Sequence, residues 1–211
     1  MIRLACVAIG YVFGLFQTGY IYGELKGTDI RQHGSGNAGA TNALRTLGWK
    51  AGLITLLGDC FKCVFAVLLV RALFAGRYPD ENMGVLLGMY AALGVILGHN
   101  FPFYLKFKGG KGILVGATMI AVFDWRVFCV AIAAFIVLVA ITKWVSLGSI
   151  VGSCLVPVMT LYFHWGEDML LPMMIILVAM VTAVVYMHRS NIVRIAHGEE
   201  NKFSLHSKKE H

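Results

Sequence analysis

The sequence predicts an all-α polytopic membrane bundle of seven transmembrane helices, N-terminus outside and C-terminus cytoplasmic. Three observations lead there. Hydrophobic residues make up 58% of the 211 positions and charged residues only 14%, against about 25% charged in a soluble domain. The apolar residues gather in runs near the roughly 20 residues needed to cross hydrocarbon, with charge confined largely to the segments between them. The basic residues are also unevenly shared among those connecting segments.

The first run, 4–22, carries Gly10/Gly14 and Gly19/Gly23, two G-x-x-x-G pairs that let neighbouring backbones approach. No small-x-small site ends it, so it reads as a retained span and not a cleaved leader. The second and third spans fall at 51–74 and 83–98. Asp59 and Lys62 lie one turn apart in the second, where ionisable groups are costly; they are expected to pair and orient the helix. The stretch 113–141 contains Asp124-Trp-Arg126 and is either one long span or two with an exposed turn.

Charge decides between these. With two spans there, one side of the membrane holds thirteen basic residues, including Lys26, Arg31, Arg45, Lys106, Lys108, Lys111, Lys143, Arg189, Lys208 and Lys209, while the other holds Arg3, Arg71, Arg77 and Arg126. One span would leave seven against nine. The positive-inside rule selects the first arrangement, although Ile113–Phe123 alone is short for a fourth span. The sixth and seventh spans run 146–163 and 170–187, with Ser149 read as a helix cap and Ser146 as facing the site. The length suits one domain over 1–211, and no internal repeat suggests a transporter of inverted halves.

This topology puts three polar segments on the cytoplasmic side: His33 to Arg45, Lys106 to Gly112 and His188 to Arg194. They offer amides, hydroxyls and cations and almost no carboxylates, the composition of a phosphate site at a membrane surface. In the first, Ser35 or Asn37 can N-cap a helix over 38–47 that stops at Gly48. Asn37, Thr41 and Arg45 would share a face beside Asn42. In the second, Gly109, Gly110 and Gly112 permit a sharp turn whose N–H groups form an anion nest between Lys108 and Lys111. It is not a Walker A loop, since Leu105 and Gly112 stand where glycine and a hydroxyl are required. In the third, His188, Asn191 and Arg194 fall at three-residue spacing on a short interfacial helix, with Glu199 and Glu200 following.

Absences narrow the chemistry further. An H-x-x-x-x-D acyltransferase motif fails, because His33, His99 and His188 are followed five positions on by Ala38, Tyr104 and Val193. There is no G-x-S-x-G elbow, and no carboxylate cluster suggests a metal, so no metal and no cofactor is expected. Cys60 and Cys63 form a lone C-x-x-C in an apolar run and read as packing, and five cysteines do not make a disulfide framework. A site supplying only positive charge and hydrogen bonds suits a substrate already activated. The alternative is a phosphate or organic-anion transporter, which would place polar groups nearer mid-membrane.

The runs Gly34-Ser-Gly-Asn-Ala-Gly-Ala-Thr-Asn42 with Arg45, Gly98-His-Asn-Phe-Pro102 through Gly112, and His188-Arg-Ser-Asn-Ile-Val-Arg194 with Gly198-Glu199 resemble the bacterial acyl-phosphate:glycerol-3-phosphate acyltransferase family over essentially the whole chain. The resemblance implies a seven-span inner-membrane enzyme with its active site facing the cytoplasm. It would transfer a fatty acyl group from acyl phosphate to the 1-hydroxyl of glycerol 3-phosphate, giving lysophosphatidic acid and phosphate. It implies Ser35, Arg45, His188 and Asn191 for activity, the glycine loop for phosphate, and Glu199 as structural beside the Asp59/Lys62 pair. Gly36, Asn37, Thr41, Asn42, Lys108, Lys111 and Ser146 complete the expected phosphate-binding set. The expected partners are the two substrates and membrane lipid, with no nucleic acid and no obligate protein partner. The proton acceptor is left between His188 and a substrate phosphate oxygen.

Overall fold

The structure, a computed structural model, describes residues 1–77 and 81–203; Lys208 and Lys209 lie outside it. Ten α-helices and no strand order the described residues: α1 (Ile2–Gly14), α2 (Thr18–Leu25), α3 (Ala40–Leu47), α4 (Trp49–Phe74), α5 (Glu81–Asn100), α6 (Ile113–Phe123), α7 (Trp125–Thr142), α8 (Val145–Phe163), α9 (Leu170–Met187) and α10 (Arg189–Ala196). Six stretches are long and apolar enough to cross a membrane, α1 and α2 counting together as Ile2–Leu25. α6 is shorter, at 11 residues. The stretch 113–141 is therefore two helices, and the turn between them is built by Asp124. Its carboxylate caps α7 by accepting from Arg126 N at 2.8 Å, and also accepts from the Arg126 guanidinium. These bonds hold the Asp124 carboxyl down at about 2.

α5 runs through the middle of the bundle and is covered on nearly all sides, with Leu86, Leu87, Ala91, Ala92, Val95 and Ile96 fully buried. Its closest partner is α1. A Cβ on Gly10 or Gly14 would collide with the backbone of Ala91 or of Val95 and Gly98, and one on Gly94 or Gly98 would collide with that of Val7 or Tyr11. The first G-x-x-x-G pair thus brings α1 and α5 into backbone contact. The second does something else: Gly19 and Gly23 make room for the carbonyls of Ala38 and Thr28, seating the first polar segment against α2.

The first span is not one helix, as the sequence suggested, because Gln17 breaks it. Its backbone leaves the helical region (φ −95°, ψ 81°), and its buried amide donates to Gly14 O at 3.1 Å and His99 O at 3.0 Å. The carbonyls freed by the break are claimed too: Leu15 O accepts from the Tyr104 hydroxyl at 2.6 Å and Phe16 O from Lys62 Nζ at 3.0 Å. In lipid an unpaired carbonyl would be costly, so these partners are what permits the break.

Asp59 and Lys62 pair as expected, at 2.7 Å, both almost fully buried. Lys62 Nζ also lies 2.7 Å from His99 Nδ1. The pair therefore does more than orient α4; it ties α4 to α5 and to the break in the first span. The five cysteines are all free, and Cys63 packs in the core, in keeping with a packing role. Two capping assignments need correction. α3 is capped by Gly39 and not by Ser35 or Asn37, and α8 starts at Val145 after Trp144, which puts Ser149 inside the helix. In both cases the chain turns into its helix at a residue other than the hydroxyl or amide nearest the apolar run.

Removing one member of a buried ion pair leaves an uncompensated charge and costs about 3–5 kcal/mol. Asp59→Ala is expected to lower thermal stability in detergent by this order, and Asp59→Leu combined with Lys62→Met to recover only part of it, because the Phe16 carbonyl then loses its donor.

Candidate phosphate site

The first polar segment is organised around Asn42. Its buried amide nitrogen donates to Ile30 O at 2.7 Å, Asn37 O at 2.9 Å and His33 O at 3.1 Å, while its Oδ1 accepts from Ser35 N at 2.8 Å. The hydrogen bonds of this side chain, expected from sequence to meet a phosphate, are all made inside the loop, which they hold in shape. Asn37 is likewise engaged, its Oδ1 accepting from Gly39 N at 2.9 Å. Because Asn37 precedes α3, the expected polar face reduces to exposed Thr41 and half-buried Arg45, one turn apart. Gly36 turns the loop at φ +71° and presents half-buried Ser35.

The glycine loop departs from a simple nest. Gly109 N donates to Asn100 O at 3.1 Å and Gly110 N to His99 O at 3.0 Å, so these amides cap the end of α5 and are unavailable to an anion. Their lack of side chains has its own cause: a Cβ at Gly109 would strike the His99 carbonyl and one at Gly110 the His99 ring. The loop thus lies directly on His99, and through it on Lys62. Gly112, left-handed at φ +76°, then starts α6. The amides left to an anion are those of the first turn of α6, which have no partner within the helix. Lys108 is exposed, whereas Lys111 is half-buried and turned inward.

Lys111 joins the second segment to the third. Its Nζ donates to Asn191 Oδ1, and Asn191 Nδ2 donates in turn to Glu200 Oε1 at 2.9 Å. Glu200 Oε2 accepts from Arg194 Nε at 3.0 Å. Burial brings the Lys111 ammonium down to about 8; Glu200 opposes this, while Arg194 and Arg45 add to it. Lys111 thus joins the second segment to the third directly, and the field of Arg45 in the first segment reaches it. His188, at the junction of α9 and α10, is 2% exposed. Its Nδ1 lies 2.8 Å from Val184 O, which fixes the proton on Nδ1 and leaves Nε2 with a free lone pair. Burial first and Lys111 second push this imidazole down to about 4, so it is neutral at ordinary pH.

Sequence reasoning put the structural carboxylate one residue early. The Glu199 side chain is exposed, and the buried one holding Asn191 and Arg194 is Glu200. Arg194 signals an acidic partner nearby, but nothing in the sequence separates Glu200 from Glu199. Asn100 was also missed: it is fully buried, both its side-chain polar atoms lack a partner, and its Oδ1 lies against Gly112. Ser146, assigned to the site, is buried with its hydroxyl unpartnered in the first turn of α8. Behind Gly112 an apolar cleft of about 160 Å³ opens between α6, α7, α8 and α9, with Ser149 and Val184 on its walls.

A bundle of apolar helices with a cationic, amide-rich cluster beside an apolar cleft defines an integral membrane protein with a candidate site for an anion. Residues 4–198 match the family model described as glycerol-3-phosphate acyltransferase, and the chain belongs to that family. It is 40% identical to a glycerol-3-phosphate acyltransferase of Clostridioides difficile over 92% of both chains. It is 35% identical to one of Prochlorococcus marinus over 94% of this chain and 96% of that one. It also resembles the crystal structure of PlsY (YgiH), an integral membrane glycerol 3-phosphate acyltransferase, in its glycerol 3-phosphate form, with a TM-score of 0.81 and 27% identity over 96% of each chain. The lysophosphatidic acid form of that enzyme superposes with a TM-score of 0.79.

A hydrogen bond to a charged group contributes about 1.5–3 kcal/mol. Glu200→Ala is accordingly expected to lower both thermal stability and turnover, with Glu199→Ala close to wild type in both measurements.

Proposed function

We propose that this chain transfers a fatty acyl group from acyl phosphate to the 1-hydroxyl of glycerol 3-phosphate, releasing lysophosphatidic acid and phosphate as the first step of phospholipid synthesis. The observation that carries the reading is the meeting of Arg45, Lys111 and the first turn of α6 with neutral His188 at the mouth of an apolar cleft. Two phosphate-bearing substrates, each carrying roughly −1.5 to −2 by analogy with phosphorylated side chains, need cations and amides. An acyl chain needs the cleft.

In this mechanism the acceptor hydroxyl oxygen attacks the acyl carbonyl carbon. The bond from that carbon to the phosphate oxygen breaks, and phosphate leaves with the electron pair. Phosphate is a good leaving group from a mixed anhydride, so the site needs only to orient the hydroxyl and stabilise the developing oxyanion. Arg45, Lys111 and the α6 amides hold the phosphates. Asn191 carries Lys111, and Glu200 carries Asn191. His188 Nε2 accepts a hydrogen bond from the attacking hydroxyl and orients it. The hydroxyl proton passes either to this nitrogen or to a substrate phosphate oxygen, the two acceptors within reach of the attacking group. Ser35, presented by the Gly36 turn, completes the set needed for activity, and exposed Thr41 and Lys108 guide the anions in.

We further propose that α6 counts as a seventh crossing, which gives an external N-terminus, a cytoplasmic C-terminus and a site open to the cytoplasm across the bacterial inner membrane. The sharing of basic residues between the two ends supports this. Residues 1–211 then form one acyltransferase unit.

Phosphate release from acyl phosphate by the reconstituted protein is expected only when glycerol 3-phosphate is present; uptake of phosphate into vesicles without acyl transfer would instead establish a transporter. Lys111→Ala should cost about 2–4 kcal/mol in kcat/KM, on the scale of an oxyanion-hole donor. Because the Lys111 ammonium is charged below about pH 8 and lost above it, kcat/KM should fall as pH rises through about 8. Lys111→Arg should move that decline out of range. His188→Gln should lower kcat; an acid limb of the pH profile left in place would make a substrate phosphate the base, and loss of that limb would make it the imidazole.

A further inference from the structure

Most glycines inside the long helices of this bundle show their reason when a side chain is imagined on each. At Gly10, Gly14, Gly94 and Gly98 a Cβ would run into the backbone of a neighbouring helix, and at Gly109 and Gly110 into His99. Packing accounts for all of these. Gly116 is different. It sits inside α6 with ordinary helical backbone, and a Cβ there would meet only Ile96 Cδ1, at a comfortable 3.7 Å. Glycine weakens a helix interior relative to alanine, and neither backbone conformation nor close helix packing calls for it here.

Gly116 does line the apolar cleft behind the phosphate site. The cleft begins at Gly112, beside Lys111, and follows α6 to Ile120, about 12 Å at 1.5 Å per residue. Along α9 it runs from Val184, whose carbonyl holds His188, down to Leu177. At that deep end Phe128 of α7 and Val156 of α8 line it, Val156 within the principal core cluster and half-buried Phe128 packed against that cluster. Half of a hydrocarbon core is about 15 Å thick, so the cleft reaches nearly to the bottom of one leaflet. Gly116 stands halfway, about 6 Å below Gly112.

We infer that Gly116 and Phe128 set which acyl chains this protein accepts: Gly116 keeps the passage open at mid-depth, and Phe128 fixes its floor. The inference rests on the acyl-transfer reading above, and the occupant it commits to is the hydrocarbon chain of the donor. The continuity of the cleft with Lys111 and His188 argues for that occupant, because a chain lying in it would hold its activated carbonyl at the cationic mouth.

The test uses the full chain in lipid vesicles with a series of saturated acyl phosphates from butyryl to stearoyl, reading kcat/KM for each. Gly116→Leu should move the preferred donor to a shorter chain and lower the ratio of palmitoyl to hexanoyl phosphate turnover by about tenfold or more, the scale of one or two misfitted methylenes. Gly116→Ala, which favours the helix, should shift the same ratio in the same direction by less. Phe128→Ala should move the preference to longer chains, and it decides the matter if Gly116→Leu does not fold. A wild-type ranking of donors in both Gly116→Ala and Phe128→Ala would overturn the inference and leave the acyl-transfer reading standing. If the wild type uses acyl thioesters and not acyl phosphates, the donor assignment fails, and the same variants against a thioester series still test the cleft.

Discussion

The whole arrangement depends on the burial of one ammonium. Lys62 sits inside the bundle, where a lone charge would be prohibitive, and it is tolerated because three partners from three places converge on it: Asp59 one turn away on α4, the His99 ring on α5, and the Phe16 carbonyl exposed by the break between α1 and α2. Each partner is in turn held by it. The broken first span needs a donor for its free carbonyl, and His99 needs a fixed ring orientation because the glycine loop lies across it. The order of the glycine loop, and so the position of Lys111 and the start of α6, is inherited from a polar contact in the membrane interior.

The polar segments share a second trait: much of their hydrogen-bonding capacity is turned inward. Asn42 folds the first segment around itself, Gly109 and Gly110 finish α5, and Glu200 supports the third segment through Asn191 and Arg194. What remains for the ligands proposed above is a smaller set: Arg45, Lys111, Ser35, the α6 amides and one nitrogen of His188. Such division between scaffold and contact is what preorganisation requires, since a site that must be ordered by its ligand loses binding energy to that ordering.

Much of this was legible in the chain. The apolar runs located the long helices to within a few residues, because in lipid every backbone group must bond within its own helix and composition follows directly. Charge distribution separated α6 from α7 where hydropathy alone was ambiguous. The three polar segments and the Asp59–Lys62 pair were visible as violations of the apolar rule. What stayed hidden was the use made of each polar atom. Asn42 and Lys111 look alike as phosphate ligands in a sequence, and only the positions of Ile30, His33 and Asn37 show that Asn42 is fully occupied. Glu199 and Glu200 are adjacent acids, told apart by which one the chain beyond α10 turns back onto Asn191 and Arg194. The break at Gln17 was invisible because it is stabilised by residues some eighty positions away.

The shortness of α6 has a consequence for the surrounding lipid. Eleven residues make a helix about 16 Å long, roughly half the hydrocarbon thickness. As the seventh crossing proposed above, a segment that brief would leave the bilayer to thin beside it or draw its polar entrance below the level of the headgroups. Either way, water-borne and lipid-borne reactants would meet at a dip in the membrane, and the catalyst would feel the stiffness and thickness of the sheet in which it floats.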